Sequence, residues 1–162
     1  MIAWPWSPRG FVDGAHPDEA EALAEIHRDA FRRTWNAHDF IALMVDPSVF
    51  ALAVRVKPPF GARRLAGFVL VRFAADEAEI LTIAVHSRYR RQGYGRLLME
   101  DVQRRLYREG IASLFLEVDR TNRAAVRLYR SLGFEVAGER RNYYADSKAG
   151  DGTALVMRLQ VR

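Results

Sequence analysis

The sequence predicts one layered α/β domain in which helices cover a mixed sheet. Three observations predict it. Apolar residues recur first at helical spacing, then at strand spacing over three segments, and return to helical spacing near residue 95. One strand segment, Glu79–Val85, is apolar on both faces, as a strand in the middle of a sheet must be. Helix and strand signals then alternate to the end of the chain, with no repeat, linker or low-complexity tract. At 162 residues the chain is the size of one compact domain, 1–162.

His16-Pro17 opens the first helix. Proline suits a first helical turn, and Asp18 and Glu19 complement the positive end of the helix dipole. Leu23, Ile26, Ala30 and Phe31 then give one apolar face. A short helix follows over Ala37–Met44, with Phe40, Leu43 and Met44 inward, and Asp46-Pro47-Ser48 breaks it. Strands are predicted over Phe50–Val56, Leu65–Phe73 and Glu79–Val85. Gly95–Arg108 carries Leu98, Val102 and Leu106 at i, i+4 and i+8, and Gly110 can cap it in the left-handed conformation. Ile111–Val118 reads as a strand and Asn122–Leu132 as a helix capped by Gly133. Phe134–Glu139 and Thr153–Leu159 read as closing strands around a polar loop, Ala145–Gly152.

Composition excludes several chemistries. There is no cysteine, so disulfides, thiolate metal sites and an enzyme thioester are ruled out. The four histidines, His16, His27, His38 and His86, lack metal-ligand spacing, and no metal is expected. No apolar run approaches the roughly 20 residues of a membrane span. Met1–Gly10 does not read as a signal peptide, so a cytoplasmic protein is expected. The net charge of +5 favours anionic partners or merely aids solubility.

Arg90-Arg91-Gln92-Gly93-Tyr94-Gly95 joins the double-sided strand to the amphipathic helix. Backbone N–H groups at a helix N-terminus, with the helix dipole, bind phosphate oxygens. Gly93 and Gly95 let the backbone turn sharply and approach a ligand closely, and the arginines add charge. The same residues also suit a plain strand-to-helix turn. They fit neither the G-x-G-x-x-G dinucleotide pattern nor the P-loop pattern. Period two places Glu117 with Phe115 on one strand face, opposite Leu114, Leu116 and Val118. Glu117 is either a solvated carboxylate or a general base. Asn122 reads as a plain helix cap. Tyr129, two turns later on the same side, reads as a core tyrosine whose hydroxyl reaches the surface.

These residues resemble the GNAT acetyltransferases. The likeness rests on six segments in family order: Glu79–Val85, Arg90–Gly95, Leu116-Glu117-Val118, Asn122–Ala125, Leu128–Phe134 and Arg141-Asn142-Tyr143-Tyr144. It covers roughly residues 65 to 160. The resemblance implies a twisted, mostly antiparallel mixed sheet with splayed central strands, and acetyl-CoA as co-substrate. It implies that Arg90, Arg91, Gln92, Gly93, Tyr94, Gly95 and Arg96 hold the pyrophosphate through backbone amides. Ile83, Ala84 and Val85 would lie along the pantetheine arm, and Asn122 would touch the cofactor. Glu117 matches the family's general base and Tyr129 its general acid, while Tyr143 and Tyr144 would wall the acceptor site. Within the family the likeness is to the bacterial branch that acetylates N-terminal alanine. It implies a protein N-terminus as acceptor, that of small-subunit ribosomal protein eighteen first. Another N-terminus, a lysine or a small amine is the alternative.

Two stretches depart from the branch pattern: Arg33-Thr34-Trp35-Asn36, in place of a Pro-Trp segment, and Asp119-Arg120-Thr121, in place of an arginine and small residues. An RNA-binding module is disfavoured, because aromatics are not interleaved with arginines on one strand face as a stacking platform requires. A monomer or weak dimer with no membrane and no direct nucleic-acid partner is expected.

Overall fold

The structure, a computed structural model, describes residues 10–58, 60–141 and 152–162. Among these residues seven strands form one sheet in the order β1-β2-β3-β4-β5-β7-β6: β1 Gly10–Gly14, β2 Val49–Val56, β3 Arg64–Ala74, β4 Glu77–Val85, β5 Ser113–Asp119, β6 Glu135–Arg140 and β7 Ala154–Gln160. The helices are α1 Ala20–Ala30, α2 Ala37–Met44, α3 Tyr94–Arg108 and α4 Arg123–Ser131. The mixed α/β class is therefore as expected. One strand, β1, has no counterpart in the sequence reading.

The chain clusters into two compact units, one taking in residues up to Val71 and again Thr82–Val102, the other Arg72–Leu81 with Gln103–Arg162. In the first, β1 pairs antiparallel with β2, from Gly10 opposite Val56 to Gly14 opposite Leu52. Arg55 of β2 locks this edge. Its Nε–H donates to Asp13 at 2.6 Å, and its two terminal nitrogens donate to Glu19 at 2.7 and 2.9 Å. That fork holds the Glu19 carboxyl below its ordinary range, because the hydrogen bonds from Arg55 favour the ionised form.

The core of this unit is built from Leu23, Phe40, Val54, Val56, Phe68 and Leu70, all buried. Phe40 meets Phe68 edge to face with ring centroids 5.3 Å apart. The apolar face read for α1 needs correction at its C-terminal end. Ala30 is exposed and Phe31 is 40% exposed, because the helix stops at Ala30 and Phe31 takes an extended backbone. His27 occupies the inward position instead. Its Nδ1 accepts the Trp35 N–H at 3.2 Å, and its ring stacks on Trp35 at 5.0 Å. Burial lowers its pKa to about 4. Asn36 then caps α2, with Asp39 closing the reciprocal box.

In the second unit, β4 pairs parallel with β5 over three residues, Glu77–Glu79 against Ser113–Phe115. The ladder stops there, although both strands continue. β5 pairs antiparallel with β7 along its whole length, and β6 closes on β7. The β6–β7 register slips by one between Val136 and Gly138, leaving Ala137 as a bulge. Leu106, Leu114, Leu116, Tyr129, Phe134 and Met157 are buried. Gly110 (φ 77°) and Gly133 (φ 102°) stand at the left-handed helix ends that the sequence predicts.

Candidate functional site

β4 carries the first group of candidate residues. Thr82 and Ala84 are buried, whereas Ile83 and Val85 are half-buried on the opposite face. The strand ends at Val85, a 3₁₀ turn covers Ser87–Tyr89, and α3 begins at Tyr94. Between them the backbone turns left-handed twice, at Arg91 (φ 62°) and Gly93 (φ 83°). A Cβ built on Gly93 meets nothing within 4 Å, so glycine is favoured there by backbone conformation and leaves its outer side open. Gly95 does not make the turn. It lies inside α3, and the second left-handed residue is Arg91. The Leu97 N–H closes on the Gly93 carbonyl at 3.1 Å, which fixes the first helical turn on the loop. Amides of a first turn direct their N–H bonds out of the helix end, the arrangement that suits a phosphate.

The side chains of this loop are less available than the sequence implies. Arg90 Nε–H donates to the Val85 carbonyl at 3.1 Å, and its Nη2 lies 3.6 Å from Asp29 Oδ2. The same carboxylate oxygen accepts the Ser87 N–H at 3.0 Å, which holds Asp29 below its ordinary pKa. Arg90 thus ties the loop to the end of β4 and to α1. Tyr94 is buried, its ring lying where a Cβ on Gly10 would have to go, and burial raises its phenol pKa. Its contribution to a ligand is confined to backbone. Asp29 was not identified from sequence. It lies 58 residues from Ser87, and no local pattern marks it. A cleft of about 230 Å³ is lined by Ala22, Ile26, Arg64, His86 and Arg88, among others, and contains none of the predicted residues.

The second group lies in the other unit. Glu117 projects from β5 with its side chain 25% exposed, and Oε1 lies 3.0 Å from Nη2 of Arg140, at the end of β6. Glu117 is thus an ion-paired carboxylate. Asn122 is the N-cap of α4, its Oδ1 accepting the Ala125 N–H at 3.2 Å. The amide nitrogen remains a donor for a ligand. Tyr129, on α4, is buried with its ring 5.7 Å from that of Phe134. Asp119 makes the turn into α4: its Oδ1 accepts both the N–H and the hydroxyl of Thr121, at 2.8 and 2.7 Å. Tyr143 and Tyr144 lie outside the described residues. Arg140 was also missed, although it directly precedes the segment Arg141–Tyr144. Among the described residues, no three His, Asp or Glu side chains gather as a metal ion requires, and no helix is long and apolar enough to cross a membrane.

Comparison with known proteins bears on the family and the fold. The sequence profile of the Acetyltransferase (GNAT) family matches residues 20–134. The Escherichia coli K12 ribosomal protein bS18-alanine N-acetyltransferase is 43% identical over 98 residues, which is 60% of this chain. The aligned stretch spans 66% of that protein, just under two thirds of its length. A putative enzyme of the same name from Bacillus subtilis is 28% identical over 131 residues, 80% of this chain and 83% of its own. The crystal structure of the E. coli ribosomal-protein-alanine N-acetyltransferase superposes with a TM-score of 0.84, at 31% identity and 94% coverage of both chains. Arabidopsis thaliana NAA60 in complex with acetyl-CoA superposes at 0.81 over 94% of this chain and 98% of its own, and at 20% identity shares the fold.

Proposed function

The chain belongs to the GNAT acetyltransferase family, and from that membership we propose that it transfers the acetyl group of acetyl-CoA to the N-terminal α-amine of a protein. The observation that carries the reading is the left-handed turn at Arg91 and Gly93, which runs from β4 straight into α3. A glycine with nothing beside it, at the N-terminus of a 15-residue helix, fits a pyrophosphate held by backbone amides. The half-buried Ile83 and Val85 fit an extended pantetheine arm. The Val85 carbonyl already accepts one hydrogen bond, from Arg90. Asn122 offers its amide nitrogen to the cofactor.

Acetyl-CoA supplies an activated acyl group, so the protein must supply a free amine and a proton for the leaving sulfur. Glu117 accepts one proton from the acceptor's ammonium, directly or through water. The neutral nitrogen then forms its bond to the acetyl carbon as the carbon–sulfur bond breaks, and the nitrogen releases its second proton to solvent. Tyr129 gives its phenolic proton to the departing sulfur and regains one from solvent, while Glu117 returns its proton to solvent. Holding both reactants in place supplies much of the remaining acceleration. The relatives' names support alanine as the acetylated residue, and the N-terminal alanine of small-subunit ribosomal protein eighteen as the first acceptor to try. Tyr143 and Tyr144 are proposed to wall that acceptor.

Glu117→Gln tests the reading. Turnover should fall by about 10²–10⁴-fold, the usual worth of a positioned base, while calorimetric acetyl-CoA affinity stays at the wild-type value. Near-normal turnover would show that Glu117 is only a surface carboxylate.

A further inference from the structure

We propose that Arg140 is the positioning residue of the general base, and that the bulge in β6 exists to place it there. The inference rests on Glu117 being that base. Glu117 pairs with Val156 on β7, and Val156 pairs in turn with Gly138 on β6. Paired residues in neighbouring strands share a face, and so do residues two apart along one strand. Gly138, and with it Arg140, therefore projects on the side of Glu117.

The bulge decides this. Val136 stands opposite Met157, yet Gly138 stands opposite Val156, so Ala137 is the extra residue. Without it, Ala137 would face Val156 and Glu139 would face Ala154. A one-residue slip exchanges the faces of a strand. Glu139 would then share the face of Glu117, setting a second carboxylate where the structure sets a guanidinium. β7 lies between the two strands, and the guanidinium reaches across it to Oε1 at 3.0 Å.

The pairing engages Oε1 and leaves Oε2 to receive the acceptor's proton. It also fixes the carboxylate's rotation, on which proton transfer within hydrogen-bond reach depends. Because the Arg140 side chain is 57% exposed, little folding stability is at stake.

Four proteins are compared: Arg140→Gln, Arg140→Lys, Glu117→Gln and the double variant Arg140→Gln with Glu117→Gln. Turnover is measured on an alanine-initiated peptide and on an N-blocked peptide whose only amine is a lysine. Acetyl-CoA affinity and thermal midpoint are measured alongside. Arg140→Gln should lower kcat by roughly tenfold, part of the worth of the base itself, with acetyl-CoA affinity and thermal midpoint unchanged. Arg140→Lys should recover part of the loss. The double variant should be no slower than Glu117→Gln alone, because a residue that acts through the base has nothing left to act on. An unchanged kcat in Arg140→Gln, or losses that multiply in the double variant, would overturn the proposal while leaving the base assignment standing. A silent Glu117→Gln would overturn the base assignment and this inference with it, and no turnover on either peptide would overturn the proposed function itself.

Discussion

His27 shows how one buried side chain sets a property of the whole fold. Its imidazole accepts a backbone N–H through Nδ1 and stacks against Trp35, and burial brings its pKa from 6.5 to about 4. The folded state therefore binds a proton less readily than the unfolded chain. The contribution is fully present above pH 6.5 and declines as the pH falls toward 4. Between pH 7 and 5 it amounts to about 2 kcal/mol of lost stability. Urea unfolding at these two pH values should show that loss in the wild type and a much smaller one in His27→Gln, whose amide oxygen can still accept the Trp35 N–H. An equal loss in both proteins would place the titrating group elsewhere. Tyr129 is tested differently. Tyr129→Phe keeps the ring against Phe134 and removes only the hydroxyl. Under the proposed chemistry kcat falls while acetyl-CoA affinity holds. A purely structural tyrosine would leave kcat unchanged and cost about 1 kcal/mol of stability for the lost hydrogen bond.

At the scale of elements, the segment from β4 to α3 is held by α1 as well as by its own residues. Asp29 on α1 accepts from Ser87 and faces Arg90, and Arg90 returns to Val85. Asp29→Ala should weaken acetyl-CoA binding several-fold through a loosened loop, with Asp29→Asn intermediate because the amide oxygen still accepts the Ser87 N–H. Calorimetry showing wild-type affinity in both would mean the loop keeps its shape unaided. Close packing limits β4 as well. A Cβ at Gly67 of β3 would come within 2.7 Å of the Ala84 carbonyl oxygen, a backbone atom that cannot swing aside. Gly67→Ala should cost roughly 1–3 kcal/mol, the usual range for overpacking, as read from the urea midpoint.

The same elements show what was legible in the sequence. Strong periodicity announced α3 and α4, and the glycines after them marked their ends, because the left-handed conformation demands a residue of that kind. β1 escaped notice because Gly10–Gly14 offers two apolar residues between glycines and an aspartate, and it is a strand only because β2 lies beside it. The β6 bulge left no local signature, since a register is set by the partner strand.

For the molecule as a whole, the motifs gave the family and the candidate base and acid, because their chemistry is written in residue type and spacing. The supporting side chains were not legible. Asp29 and Arg140 act across long sequence separations, and only folding brings them to Ser87 and Glu117. Charge said least, since a net +5 suits a phosphorylated co-substrate and a merely soluble surface equally. The central claim is transfer of acetyl to a protein α-amine, and the direct measurement is where the acetyl group goes. The protein is incubated with acetyl-CoA and two peptides, one starting with the alanine of the ribosomal target, the other blocked at its N-terminus with one free lysine. Fragment-ion mass spectrometry then locates the added acetyl group. The account predicts acetyl on the alanine nitrogen and little on lysine; acetyl on lysine alone, or on neither peptide, contradicts it.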